Sequence, residues 1–143
     1  MITLTQRLRE NGLKVTPQRL SIFGLLLETK EHPSAEAIYE VVKSSMPSIS
    51  FNTVYKTLGS LAESGLIKKL VVEENHYRFD ADTRPHAHLL CIQCSSLEDI
   101  PGEYGRKVQL MRKEFANEFE RTIFSEELYF FGYCRKCEPN NQQ

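Results

Sequence analysis

Through the first 65 residues, apolar positions recur every three or four residues between turn formers, the mark of short amphipathic helices. Residues 3–11 are expected to form the first, ended by Gly12. Thr16-Pro17 begins the next. Threonine caps the free amides of a first turn, and proline at the first helical position gives up no hydrogen bond. Leu20, Phe23, Leu26 and Leu27 are its expected apolar face. Pro33-Ser34 opens a third helix, with Ala37, Ile38, Val41 and Val42 as its stripe and Pro47 beyond its end. Ser50 caps a fourth, in which Val54, Leu58 and Leu61 face inward and Gly65 supplies a left-handed terminus. The period then changes to two. Ile67–Val72 and His76–Phe79 are predicted hairpin strands joined by Glu-Glu-Asn. Helices closed by such a hairpin make a winged helix-turn-helix; the same pattern also fits an ordinary small α+β domain.

The second half is patterned differently. Residues 86–92 and 95–100 are predicted strands. Tyr104, Val108, Met111, Phe115 and Phe119 mark one face of an amphipathic helix, expected to be core. Leu128–Tyr133 is an aromatic-rich strand. A hinge is expected near Asp80–Pro85, and residues 138–143 form a polar tail, expected to be flexible.

Composition narrows the class. Hydrophobic residues are 41% and charged residues 26% of 143, ordinary for a globular protein of one domain or two small ones. No run approaches the roughly 20 apolar residues of a membrane helix, and the N-terminus has no basic-then-apolar layout, so a soluble cytoplasmic protein is expected. The net charge of −1 divides unevenly: residues 1–72 carry nine Lys/Arg against six Asp/Glu, and residues 73–143 nine against thirteen. The mildly basic first half can face phosphates, although solvated charge alone also produces such splits.

The four cysteines change the picture most. They form two Cys-x-x-Cys pairs, Cys91/Cys94 and Cys134/Cys137, with 39 residues between the pairs. Disulfides are rare in the cytosol, and four thiolates suit a tetrahedral Zn2+ with no open position for chemistry. A structural zinc is therefore expected, with a redox pair or buried thiols as the alternatives. A second donor group is His86-Ala87-His88, whose imidazoles share one side of a strand. Asp80 lies six residues before it, Asp99 five residues after Cys94, and His32 is remote in sequence. Imidazole with carboxylate suits Fe2+, Mn2+ or Zn2+.

Several segments, taken in order, resemble the ferric uptake regulator family over nearly the whole chain. They are Gly12-Leu13-Lys14-Val15-Thr16-Pro17-Gln18-Arg19, His32-Pro33-Ser34-Ala35, Thr53-Val54-Tyr55-Lys56-Thr57-Leu58, Ser64-Gly65-Leu66-Ile67, Tyr77-Arg78-Phe79-Asp80, His86-x-His88-x-x-Cys91-x-x-Cys94 and Gly132-Tyr133-Cys134-x-x-Cys137. The resemblance implies an α+β chain: a winged-helix DNA-binding domain over 1–80, then a small α/β metal-binding and dimerisation domain over 81–137. It implies a homodimeric repressor of double-stranded operator DNA, not an enzyme, with no membrane partner. His32, Asp80, His86, His88 and Asp99 are the implied regulatory ligands. Iron sensors of the family usually read His-His-Asp-His before the first cysteine pair and tend to have Glu at the last carboxylate. Here the stretch is Pro85-His86-Ala87-His88, no histidine follows His88, and the carboxylate is Asp99. Both departures resemble the peroxide-sensing branch, in which Fe2+ directs oxidation to a ligand histidine, here His32 or His86, whereas Mn2+ fills the site without responding well. Glu98 is the alternative ligand if the strand slips by one residue, and an iron- or zinc-responsive uptake regulator is the alternative within the family.

The helix beginning near Ser50 would enter the major groove. Asn52, Thr53, Tyr55 and Lys56 at its start are the expected DNA contacts, with Tyr55 against a thymine methyl and Lys56 on a phosphate or guanine. Lys14, by resemblance, reaches the adjacent minor groove, and the operators would be A/T-rich inverted repeats. Two other classes are less compatible. A zinc deaminase needs His-x-Glu and Pro-Cys-x-x-Cys, and neither occurs here. A zinc-stapled interaction module has no need of His32, Asp80 and the His-x-His pair together.

Overall fold

The computed structural model describes residues 1–139. The chain divides into two compact units, Met1–Thr83 and the part from Arg84 onward. Of the tail expected at 138–143, residues 140–143 lie outside the described residues, and Glu138 donates its amide to the Cys134 carbonyl at 2.9 Å.

The first unit runs α1 (Leu4–Glu10), α2 (Pro17–Glu28), α3 (Ala35–Ser45), α4 (Phe51–Glu63), β1 (Lys68–Glu73) and β2 (His76–Asp80). Side-chain caps start all four helices. Thr3 and Gln6 form a reciprocal capping box, and Thr16, Ser34 and Ser50 each accept an amide three residues on, at 3.1–3.2 Å. Gly12 and Gly65 take φ values of 75° and 78° after α1 and α4, where a side chain would be strained.

Leu8, Ile22, Phe23, Leu26, Ile38, Val42, Val54, Leu58, Leu61 and Ile67 are buried in one core. Two expected stripes are corrected in detail. In α2, Ile22 is buried and Leu27 is exposed. In α3, Ala35, Ile38 and Val42 are buried, while Ala37 and Val41 face solvent. Each apolar set spans two neighbouring diagonals of its helix, and only one diagonal meets the other helices. Strands β1 and β2 pair antiparallel, with Lys69 opposite Phe79, and an irregularity between Val71 and Glu73 leads into Asn75 at φ 61°. Helices α3 and α4 followed by this hairpin are a winged helix-turn-helix.

The second unit contains β3 (Ala87–Cys91), β4 (Leu97–Ile100), α5 (Tyr104–Glu118) and β5 (Tyr129–Gly132), with sheet order β4-β3-β5. β3 pairs antiparallel with β4 and parallel with β5, and α5 lies on the connection that the parallel pairing requires. The buried apolar residues here are few: Ala87, Leu90, Cys91, Leu97, Val108 and Cys134. The aromatic stripe expected as core is not core. Val108 is buried, but Tyr104, Met111, Phe115 and Phe119 are 49–58% exposed. A three-stranded sheet covers only one narrow line of a 15-residue helix, so the rest of the stripe faces outward within the single chain.

Candidate metal centres and nucleic-acid interface

Two cysteine pairs far apart in sequence meet because their strands are neighbours. Cys91 ends β3 opposite Gly132 of β5, and the Ile92 amide donates to the Gly132 carbonyl at 2.9 Å. Both chains then leave the same end of the sheet and turn. The Ser95 amide closes the first turn on the Cys91 carbonyl at 2.9 Å, with Ser95 at φ 59°; the Cys137 amide closes the second on the Cys134 carbonyl at 3.0 Å. The four Sγ atoms lie within 4.8 Å of one another, and Cys94 and Cys134 are 3.7 Å apart. A tetrahedral ion with Zn–S bonds of about 2.3 Å places its sulfurs about 3.8 Å apart. None of the four is in a disulfide. The donor set and spacing therefore fit a structural Zn2+.

The electrostatics agree. Backbone amides of Cys134 and Cys94 draw the Cys91 thiol down to about 6, and the Cys137 amide lowers that of Cys134. Cys137 is pushed up to about 12, first by its hydrogen bond with Cys134, then by burial. Without a cation, the last thiol of the cluster keeps its proton; a dication removes that cost. Cys91 is thus a thiolate above pH 6 and competes with few protons for zinc, while Cys137 must release one. Apparent zinc affinity is expected to rise at least about tenfold from pH 7 to pH 8, and well short of the ten-thousandfold that four ordinary protonated thiols would give. Competition with a chromophoric chelator at the two pH values measures this; a flat response or a four-proton slope would refute it.

Imidazoles and carboxylates gather in both units. In the first, His32 and Asp80 are buried, with Nε2 and Oδ2 3.2 Å apart. His32 sits at φ 50°, unusual for a residue with a side chain and costing on the order of 1–3 kcal/mol. The hairpin secures it. The Phe79 amide donates to the Pro33 carbonyl at 3.0 Å, and Arg78 Nη1 donates to the His32 carbonyl at 3.2 Å. The Asp82 amide donates to Asp80 Oδ1 at 2.8 Å and orients that carboxylate.

In the second unit, His88 stands opposite Asp99 across β3 and β4, and Leu89 stands opposite Glu98. Asp99 Oδ1 lies 3.0 Å from His86 Nε2 and 3.3 Å from His88 Nε2. The His86 Nδ1–H donates to the Arg84 carbonyl at 2.7 Å, so Nε2 is the ring nitrogen turned to the carboxylate. Tyr129 of β5 stacks on the His88 ring at 5.6 Å. No sequence motif marked Tyr129 or the Arg84 carbonyl as supports of these histidines; strand pairing and backbone bonding bring them there.

At the start of α4, Asn52, Thr53, Tyr55 and Lys56 are exposed, and Phe51 and Tyr55 are large side chains left 39% and 44% accessible. Phe51 meets Tyr39 edge-on at 5.8 Å and so braces this end of the helix. The Lys69 ammonium of the hairpin lies 3.8 Å from the Tyr77 ring centroid and 5.9 Å from that of Tyr55, a contact that sequence periodicity could not reveal. Lys14 is exposed, and its carbonyl accepts from Arg19 Nη1 at 2.8 Å. Among the described residues, no helix is long and apolar enough to cross a membrane.

The ferric uptake regulator family model matches residues 10–130. The peroxide-responsive repressor PerR of Staphylococcus aureus is 30% identical over 131 residues, covering 92% of this chain and 86% of that protein. Among solved structures, the Campylobacter jejuni peroxide stress regulator is 30% identical with a TM-score of 0.74, over 94% of this chain and 99% of that one. The Vibrio cholerae ferric uptake regulator is 27% identical with a TM-score of 0.72, over 92% of this chain and 100% of that one. Members of this family are transcription regulators, not enzymes. The winged helix, the four-cysteine cluster and a match running through both units lead to one assignment: this chain belongs to the ferric uptake regulator family.

Proposed function

We propose that the protein is a cytoplasmic, homodimeric repressor that binds operator DNA when a regulatory Fe2+ or Mn2+ is loaded, and that hydrogen peroxide relieves repression in the iron form. The observation that carries this reading is the convergence of His86 and His88 on one oxygen of Asp99. With His32 and Asp80 they make an imidazole–carboxylate set of the kind that holds Fe2+ or Mn2+. Two ligands belong to the DNA-binding domain, residues 1–80, and three to the metal-binding and dimerisation domain, residues 81–137. Metal acts as a switch because it binds the DNA-competent arrangement of the domains better than the others.

The start of α4 reads the major groove with Asn52, Thr53, Tyr55 and Lys56, and Lys14 enters the neighbouring minor groove of an A/T-rich inverted repeat. The second domain holds the dimer, and its exposed Met111, Phe115 and Phe119 supply apolar area for that contact.

Similarity to two peroxide regulators at 30% identity, and aspartate at position 99, support the peroxide branch. Held by His32, Asp80, His86, His88 and Asp99, Fe2+ would supply the redox chemistry that cleaves peroxide beside the imidazoles; overall, one H2O2 would leave one oxygen on the ring of His32 or His86 and release one water. His86 is the more accessible target, its side chain 13% exposed against 1% for His32. Fe2+-, Mn2+- and Zn2+-loaded protein should be given a brief, low dose of H2O2 and then assayed for operator binding and by peptide mass spectrometry. Only the Fe2+ form is expected to lose DNA binding, with one added oxygen on peptides containing His32 or His86. Met1, fully exposed, is the internal control and should stay largely unmodified. Oxidation of the cysteines while both histidines remain intact would refute the peroxide reading and favour an iron or zinc sensor of the same family.

A further inference from the structure

We propose that Gly105 is a positioning residue for the regulatory metal, through His86. The inference rests on the reading of His86 as a ligand. Gly105 is the second residue of α5 and is buried against the backbone that carries His86. A Cβ at position 105 would overlap the Pro85 carbonyl oxygen, lie 2.6 Å from the Pro85 carbonyl carbon and lie 2.8 Å from His86 Cα. These are main-chain atoms, with no flexible side-chain end to swing aside.

Helix propensity does not ask for glycine here. Its φ is not in the left-handed region, and alanine is the better helix former. Close approach of two backbones is the remaining reason for the residue. The segment it seats has little slack. Pro85 fixes its own φ, and the His86 ring is tied back to the Arg84 carbonyl at 2.7 Å. His86 Nε2 is thereby aimed at Asp99 Oδ1, 3.0 Å away. Ordinary contact begins at 3.4 Å, so a methyl group at 105 drives His86 Cα back by about 0.6 Å and the Pro85 carbonyl carbon by about 0.8 Å. Metal–ligand distances tolerate about 0.2 Å. The displacement therefore falls on His86 first. The cysteine cluster, at the far ends of β3 and β5, is left in place.

The test is Mn2+ titration calorimetry on full-length, zinc-loaded dimer, with zinc content measured alongside. Gly105→Ala is expected to weaken Mn2+ binding about tenfold or more with zinc retained. His86→Ala should weaken it as well, and the double variant should bind no worse than His86→Ala alone, because a residue acting through His86 has nothing further to lose. Parent-like Mn2+ affinity in Gly105→Ala would overturn the proposal, as would full additivity of the two changes. If Gly105→Ala also loses zinc, the P85G/G105A variant decides, since glycine at 85 lets the carbonyl turn away. Recovered zinc with weakened Mn2+ supports the proposal, and unrecovered zinc overturns it. Parent-like Mn2+ binding by His86→Ala would refute the ligand reading itself, a result separate from any behaviour of Gly105.

Discussion

Replacing His86 by alanine is expected to weaken binding of the regulatory metal by about 100-fold or more, since loss of an outer-shell support alone costs 10–100-fold. His86 Nε2 lies 3.0 Å from Asp99 Oδ1, and the other ring nitrogen is tied to the Arg84 carbonyl at 2.7 Å. Operator affinity should fall toward the non-specific level, about 10³-fold or more below specific binding at physiological salt. The structural zinc should remain, because Cys91, Cys94, Cys134 and Cys137 form their own cluster. A Mn2+ titration followed by operator gel shift or fluorescence anisotropy measures both losses. Matching affinities for the variant and the parent across the titration would remove His86 from the regulatory site.

Cys94→Ser should have the opposite selectivity, destroying structure before sensing. Its thiol lies 3.7 Å from Cys134 and donates to Ser96 Oγ at 3.2 Å, so it is an integral corner of the cluster. Among the described residues of the second unit, Ala87, Leu90, Leu97 and Val108 are the buried apolar side chains beside the cysteines. A core of that size does not offset the entropy of ordering some fifty residues, at about 1–2 kcal/mol each for backbone alone. Structural zinc sites in small folds provide on the order of 10 kcal/mol. Loss of zinc, of the folded second unit and of the dimer should therefore coincide, as seen by elemental analysis, circular dichroism and sedimentation. A zinc-free Cys94→Ser protein that remained a stable dimer would show that the staple is dispensable.

Local rules account for what was legible along the chain. Each helix of the first unit begins at a capping Thr or Ser, because that side chain bonds an amide three residues away and needs no distant partner. Gly12 and Gly65 end helices by a backbone conformation that is equally local. The cysteine chemistry was legible for a related reason: a Cys-x-x-Cys turn brings two thiolates together on its own. The His-x-His pair follows from the two-residue period of a strand. The proposed DNA face at Asn52, Thr53, Tyr55 and Lys56 is exposed because Val54 and Leu58 take the buried side of the same helix.

Chain pairing decided the rest. Periodicity could not choose between Glu98 and Asp99 as the carboxylate beside the histidines, since a slip of one residue exchanges the two faces of a strand. The β3–β4 register sets Asp99 opposite His88. Parallel pairing of β3 with β5 unites the cysteine pairs across 39 residues, and it places Tyr129 against His88. The outward face of Tyr104, Met111, Phe115 and Phe119 likewise depended on how little of α5 the sheet covers, because hydrophobic spacing reports that a face seeks cover and not what covers it. Gly105 is the clearest case. Its sequence context marks an indifferent helix residue, and its role exists only where a second backbone comes too close for a Cβ.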